Sequence, residues 1–136
     1  MRFITVCLCF FLTNSAFAEQ KIKVELEWKL KHKCSTISPE IKLSNIPSNT
    51  VEISIDLIDQ DMRSWDHGGG FVKTENNVTE LVIPEGTFKN YNGPCPPNFT
   101  SFGHDYEFKV KAKDNQLKLI GQGNVVKNFS SKTVTN

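Results

Sequence analysis

A proline-rich loop and a histidine stand just ahead of an alternating segment in the second half of the chain. The run GPCPP occupies 93–97, Gly103-His104 follows it, and YEFKVKA covers 106–112. Prolines restrict the backbone of the loop, and an imidazole can donate hydrogen bonds from its ring N–H groups. Backbone N–H groups of a Pro/Gly loop can complete a concave anion site. This combination predicts a pocket for a small anion.

The string HGGG at 67–70 offers a second chemistry, because glycine N–H groups in such a string form the oxyanion hole of some esterases. The other parts of such an enzyme are missing from the sequence. No GxSxG motif occurs, and no Ser or Cys stands beside a His in a recognisable nucleophile motif. We therefore expect a protein that is not an enzyme and has no catalytic residues, no cofactor and no metal.

The N-terminus predicts export. Arg2 precedes an uncharged apolar stretch at 3–12, and the tripeptide AFA at 16–18 places small residues at the two positions that a signal peptidase reads. The stretch is much shorter than the roughly 20 residues that cross a bilayer. We expect a cleaved signal peptide at 1–18 and a single periplasmic or secreted domain at 19–136 without a transmembrane segment. An uncleaved anchor is the alternative.

The charge balance excludes one class of partner. The chain has 16 basic and 15 acidic residues, and only Arg2 among them lies in the expected signal peptide, so the mature chain is close to neutral. Without a basic stripe to neutralise a phosphate backbone, nucleic acid is not an expected partner. The uniform composition, without a linker or an internal repeat, favours one domain.

Two cysteines, Cys34 and Cys95, remain in the expected mature chain. In an oxidising compartment a disulfide is the natural interpretation. It would close a loop of about 60 residues and contribute roughly 4 kcal/mol through the entropy of the unfolded chain. A metal site is the competing use, but two isolated cysteines without CxxC spacing are weak support for zinc.

Apolar residues alternate with polar ones along much of the chain, which predicts β-strands. The predicted segments are Ile22 to Leu30, with Trp28 expected in the core, Val51 to Leu57, Tyr106 to Ala112, and the shorter pieces 79–83, 116–120 and 123–129. Turn signals separate them, including the three glycines at 68–70. Many short strands with frequent turns predict an all-β sandwich of two antiparallel sheets with Greek-key connections and little helix.

Several motifs together resemble the phosphatidylethanolamine-binding protein family, in particular its bacterial YbhB/YbcL-like branch. In chain order they are SPEIKLSNIPSNT at 38–50, DQD at 59–61, WDHGGG at 65–70, PEGTFKNYNGPCPP at 84–97 and GHDYEFKVKA at 103–112. Each piece alone is weak, whereas the ordered set is specific. The resemblance implies a β-sandwich with a pocket at one end for a phosphate-like or other small anionic group, such as a phospholipid headgroup.

The resemblance also implies which residues bind the ligand. They match the acids of the family's DPD motif, the histidine after it, the loop prolines and the GxHxY motif, and are Asp59, Asp61, His67, Pro96, Pro97, His104 and Tyr106. Asp59 would orient an imidazole and favour its charged form. Because histidine titrates near neutrality, we expect anion binding to tighten as the pH falls from about 8 to about 6.

The chain departs from the family pattern in three places. Position 60 is Gln rather than Pro, Asp105 adds a carboxylate after His104, and the segment after Ala112 is too short for the family's C-terminal helix. A carboxylate beside an anion site weakens binding by repulsion unless it turns away. A missing helix would widen the mouth of the pocket.

Most candidate residues also have a purely structural interpretation. Asp59 and Asp61 are common turn formers at a strand end, and His67 before three glycines fits a loop residue. Trp65 is expected to be a packing residue rather than a ligand contact. His32 lies in the polar stretch KHK and is expected to be solvated.

A third class of function is protein interaction. The resemblance permits an inhibitor or modulator of kinases or proteases that acts through surface loops without a small ligand. Three sequons, at Asn77, Asn98 and Asn128, would carry glycans only in a eukaryotic secretory pathway. The leading prediction remains an exported small-ligand-binding protein.

Overall fold

The computed structural model describes residues 19–136, so the expected signal peptide lies outside the described residues. Within this range there is one 3₁₀ helix, Leu30–His32, and no helix is long and apolar enough to cross a membrane. The strands in chain order are β1 Gln20–Lys21, β2 Lys23–Leu26, β3 Ile41–Ser44, β4 Glu52–Asp59, β5 Asp66–Lys73, β6 Glu80–Ile83, β7 Asn90–Tyr91, β8 His104–Lys113 and β9 Leu119–Phe129.

These strands form two sheets, which confirms the predicted all-β fold. The larger sheet has the order β1-β9-β8-β4-β5-β7 and the smaller one β2-β3-β6. Neighbouring strands are antiparallel except β1, which pairs parallel to β9. In the centre of the larger sheet β4 pairs with β8, although a long stretch of chain separates them.

Buried apolar side chains alternate with outward-facing ones along β4 and β8 and form part of the core. Polar side chains continue these buried rows at one end of the core. The apolar side chains at odd positions from 53 to 57 and at even positions from 106 to 112 are buried. Because successive side chains of a strand point to opposite faces, Asp59 continues the first row and His104 continues the second. Asp59 and Tyr106 are direct partners across the two strands. Polar groups therefore reach the rim of the core at a defined point.

Two predicted strand boundaries are wrong. The first predicted strand, Ile22 to Leu30, contains only the four residues of β2, and its expected end at Leu30 lies in the 3₁₀ helix. The end of the piece predicted at 116–120 and the whole piece predicted at 123–129 belong to one continuous strand, β9, which begins at Leu119. The core position expected for Trp28 is confirmed, since its side chain is almost fully buried.

The three glycines predicted as a turn instead lie inside β5. Gly68 has a φ of +69°, and a Cβ there would lie 2.2 Å from the carbonyl oxygen of Asn90. A Cβ on Gly70 would lie 2.5 Å from the ring of Phe88. Glycine is thus required by close approach within the sheet and by the left-handed backbone, rather than by a chain reversal.

The expectation that His32 is solvated is wrong. Its side chain is 1% exposed, its Nδ1 accepts the N–H of Lys29 at 3.0 Å, and its Nε2 lies 3.0 Å from a carboxylate oxygen of Glu85. Because Nδ1 accepts, Nε2 carries the ring hydrogen and donates to Glu85. Burial lowers the pKa of His32, and this effect outweighs the raising influence of the Glu85 carboxylate.

The predicted disulfide between Cys34 and Cys95 is present. It attaches the proline-rich loop to the segment that follows the 3₁₀ helix. Two backbone hydrogen bonds reinforce this attachment, from Cys34 N–H to the Pro94 carbonyl at 2.8 Å and from Gly93 N–H to the Ser35 carbonyl at 2.7 Å. The loop is therefore held both covalently and through its backbone.

Candidate functional site

Asp59, the last residue of β4, is the centre of the candidate site. It is 3% exposed, and its Oδ1 accepts the backbone N–H groups of Asp61 and Met62, both at 2.9 Å. Its Oδ2 lies 2.7 Å from Nδ1 of His104 and 3.8 Å from Nε2 of His67. Asp59 therefore stabilises the turn after β4 through Oδ1. Its second carboxylate oxygen, Oδ2, faces the two imidazoles.

The sheet brings these side chains together from three strands. β4 ends where its antiparallel neighbour β8 begins, so Asp59 meets the start of the row that contains His104 and Tyr106. β5 pairs with the other edge of β4 and supplies His67. The side chain of His67 is 3% exposed and that of His104 is 13% exposed, so His104 is the more accessible ring.

The hydrogen bonds determine which ring nitrogens carry hydrogen. Nδ1 of His67 lies 2.7 Å from the carbonyl oxygen of Asn92, which can only accept, so this nitrogen donates. Nδ1 of His104 likewise donates to the carboxylate of Asp59. In a neutral ring the other nitrogen, Nε2, then has a lone pair and no hydrogen. Either ring can donate to an anion through Nε2 only when it is protonated.

Asp59 is placed to stabilise such a protonated ring. Burial raises the pKa of Asp59, but the hydrogen bonds from His104 and from the N–H groups of Met62 and Asp61 lower it further, so the net pKa lies below its usual range. The carboxylate is thus ionised at neutral pH. An ionised carboxylate at this distance accepts the hydrogen bond from Nδ1 of His104.

Tyr106 closes the inner side of the cluster. Its ring lies edge-on to that of His67, with centroids 5.3 Å apart, and its hydroxyl accepts the N–H of Cys95 at 3.2 Å. Burial, followed by the negative charge of Asp59, raises the pKa of Tyr106. The phenol therefore stays neutral and joins the cluster to the proline-rich loop.

The remaining predicted residues lie around this cluster. Oδ2 of Asp61 accepts the N–H of Asp105 at 2.7 Å, so this carboxylate ties the turn to β8. The carboxylate of Asp105 accepts the side-chain amide of Asn128 at 2.9 Å, on the opposite face of β8 from His104. In the loop, Pro96 is buried and Pro97 is exposed.

The cluster is a filled corner of the sandwich and not a deep cavity. Five surface cavities formed by residues 19–136 are lined by other side chains than Asp59, His67 or His104. Asp59, Asp61 and His104 each offer a ligand atom within 4.8 Å of the others, as a metal would need. However, a hydrogen bond already joins the Asp59 carboxylate to Nδ1 of His104, so the arrangement suits proton-linked recognition better than coordination.

Comparison with known proteins adds a family to this geometry. A family model described as phosphatidylethanolamine-binding protein matches residues 13–136. The chain belongs to the phosphatidylethanolamine-binding protein family. No curated protein matches the chain. Membership in this family places the chain among small-ligand-binding domains, and it confirms the resemblance at the level of the family.

Sequence reasoning missed the backbone groups that hold the family motifs in place. These are the N–H of Met62, the carbonyl of Asn92 and the N–H of Cys95. Backbone groups have no side-chain signature, so residue types alone do not reveal them. The first was accessible from sequence, because an Asp at a strand end commonly accepts N–H groups two and three residues later.

Proposed function

We propose that this protein is an exported, non-catalytic member of the YbhB/YbcL-like branch that reversibly binds a phosphate-like or other small anionic group beside His104. The single observation that carries the proposal is the contact of a buried, ionised Asp59 with the more accessible imidazole, at 2.7 Å. The ordered motifs of that branch support the assignment, and His104, His67 and Asp59 are the residues that act in it.

Binding is coupled to proton uptake. The charged and titratable groups around His104 are Asp59, Asp61, Asp105 and His67, with Tyr106 as a neutral phenol. With both rings neutral, the two carboxylates beside His104, those of Asp59 and Asp61, repel an anion. Protonation of His104 adds a positive charge and an N–H donor at Nε2, and the Asp59 carboxylate stabilises that state.

The coupling has a definite sign and size. An anion that binds only the protonated ring gains affinity as the pH falls, because a larger fraction of the free protein then already has that ring protonated. Uptake of one proton per anion increases the affinity by up to about tenfold per pH unit. We therefore expect a phosphate species of constant charge to bind more tightly at pH 6 than at pH 8, after correction for the titration of phosphate itself, which also occurs in this range.

Calorimetric titration with inorganic phosphate and with phosphoethanolamine, at pH 8, 7 and 6, tests this proposal. Asp59→Asn and His104→Asn should abolish the pH dependence and most of the binding. Glu75→Gln, which removes an exposed carboxylate in the turn after β5, is the matched control and should bind as wild type. Equal affinity at all three pH values would refute the donor role of His104.

Export and the lack of catalysis are tested separately. The apolar stretch and AFA tripeptide support export, as does the disulfide, which is typical of oxidising compartments. Intact mass of the protein from its native source should correspond to a chain that begins at Glu19. Hydrolysis of ester and phosphoester substrates that is present in wild type and lost in an Asp59→Asn/His104→Asn double variant would overturn the non-catalytic assignment.

A further inference from the structure

A second concave surface lies on the face of the larger sheet that points away from the core. It is an open groove of about 740 Å³. It is lined by alternate positions of β4, by the turn at 63–66 and by residues of β5. Asp59, His67 and His104 do not line it. The groove is therefore separate from the site proposed above, and it has no role in the anion-binding proposal.

Two exposed aromatic side chains border this groove. Trp65 is 60% exposed and Phe71 is 61% exposed, and the expectation that Trp65 is a packing residue is wrong. Two large aromatic rings on one concave surface form an exposed apolar patch, which is a feature of many binding sites. The glycines at 68–70 contribute no side chain between them, so the floor of the groove is mainly backbone with Ser54 and Asp56.

The groove has nearly equal numbers of acidic and basic side chains, and some of them already have partners within the protein. It is lined by three carboxylates and two cations, which are Glu52, Asp56, Asp66, Arg63 and Lys113. Lys113 pairs with Glu52 at 3.1 Å, and the carboxylate of Asp66 accepts the N–H of Gly68 at 2.8 Å. The exposed side chain of Asp56, which lies opposite Lys109 of β8, makes no hydrogen bond or ion pair with any residue in 19–136. It is thus a free acceptor on the floor of the groove.

We propose that this groove binds a neutral carbohydrate chain. The apolar C–H face of a sugar ring packs well against the flat face of an indole or a phenyl ring. Its hydroxyl groups can donate to Asp56 and exchange hydrogen bonds with the amide of Asn90, which also lines the groove. The balance of charges disfavours a strongly anionic or cationic ligand, and an open groove accommodates a chain better than a single small molecule.

Tryptophan fluorescence tests this proposal directly. The described chain has two tryptophans, and only Trp65 is accessible, because Trp28 is 3% exposed. Quenching by acrylamide should therefore report on Trp65 alone. Cellotetraose, chitotetraose and maltotetraose, each at about 5 mM to detect millimolar dissociation constants, are the neutral probes, and tetralysine and a heparin tetrasaccharide are the charged ones. At least one neutral probe should reduce the quenching constant of Trp65 by about twofold or more at saturation.

Matched variants identify the groove as the site. Phe71→Ala should weaken binding of that probe by about tenfold, and Asp56→Ala should weaken it by about threefold or more. Phe102→Ala removes a more exposed phenylalanine outside the groove, with 78% exposure, and should bind as wild type. Phe71→Ala should leave phosphate binding unchanged, so the two proposals can fail independently. Failure of all three neutral probes to protect Trp65, protection by tetralysine or heparin alone, or wild-type binding by Phe71→Ala would overturn the proposal.

Discussion

Removal of the disulfide is the perturbation whose size follows most directly from the structure. Replacing Cys34 and Cys95 by serine opens a covalent loop with a sequence separation of 61 residues. Loop-closure entropy of the unfolded chain then gives a loss of about 4 kcal/mol at 25 °C, from roughly −2.1 − 1.5R ln n with n near 60. Such a loss is a large part of the 5–15 kcal/mol that is typical of a small domain.

The location of the bridge makes this number a test of the entropic argument. Cys34 and Cys95 are both exposed, so serine hydroxyls at these positions remain solvated and leave no buried cavity. The two backbone hydrogen bonds between the loop and the segment around Ser35 do not require the sulfur atoms. The folded loop should therefore keep its conformation, and the change should lie mainly in the unfolded chain.

Urea unfolding at pH 7 measures the effect. The midpoint should fall, and the denaturant slope should rise because the unfolded chain is no longer cross-linked and exposes more surface. Wild-type protein in excess dithiothreitol is the matched control and should have the same unfolding free energy as the double serine variant. A loss below about 1 kcal/mol would refute the loop-entropy argument. A variant much less stable than the reduced wild type would show that the serines themselves disturb the fold.

Three further predictions concern single side chains. Below about pH 4 the wild type should lose the stability that the lowered pKa of Asp59 provides, because the unfolded state then binds more protons than the folded state. Urea titrations should show that Asp59→Asn lacks this steep acid dependence. As the pH falls below about 6.5, the protein should also lose stability because of the lowered pKa of His32, since the unfolded state again binds more protons than the folded state. In thermal scans, His32→Gln should reduce the dependence of the unfolding temperature on pH in this range. Gly103→Ala should destabilise more than Gly86→Ala in thermal unfolding. Both glycines have positive φ, but only at Gly103 would a Cβ meet backbone, at 2.0 Å.

The long strands with one buried face were predictable, whereas the short strand β3, Ile41–Ser44, was missed although its burial alternates in the same way. The alternation of Val51 to Leu57 and of Tyr106 to Ala112 corresponds to β4 and β8 with shifts of one or two residues at their ends. The segment WDHGGG was not predictable in this way, since glycine has no preference for either face. Its membership in β5 depends on the approach of β7 and of the Phe88 ring, which are non-local contacts.

The candidate site was predictable from motif order but not from the alternation alone. Parity along β8 puts His104 and Tyr106 on the core face, yet nothing local shows that Asp59 on β4 is their neighbour. The burial of His32 had no local signal either, because its partner Glu85 lies 53 residues away. A single sequence does not reveal which distant residues become neighbours in the fold. Family motifs indicate such neighbours only at the cluster of residues that the family uses for its function.

The tautomers of the two imidazoles change how the family motif should be understood in this chain. Motif matching treats His67 and His104 as donors waiting for an anion, whereas both rings already use Nδ1 for hydrogen bonds inside the protein. A neutral cluster with the carboxylates of Asp59 and Asp61 nearby offers an anion no imidazole N–H and an unfavourable charge. Recognition then requires a proton as well as a ligand. Asp105 does not remove this capacity, because Asn128 binds its carboxylate on the other face of β8. The pH dependence proposed for anion binding thus follows from hydrogen-bond direction, and it should be weaker if Nδ1 of His104 were free.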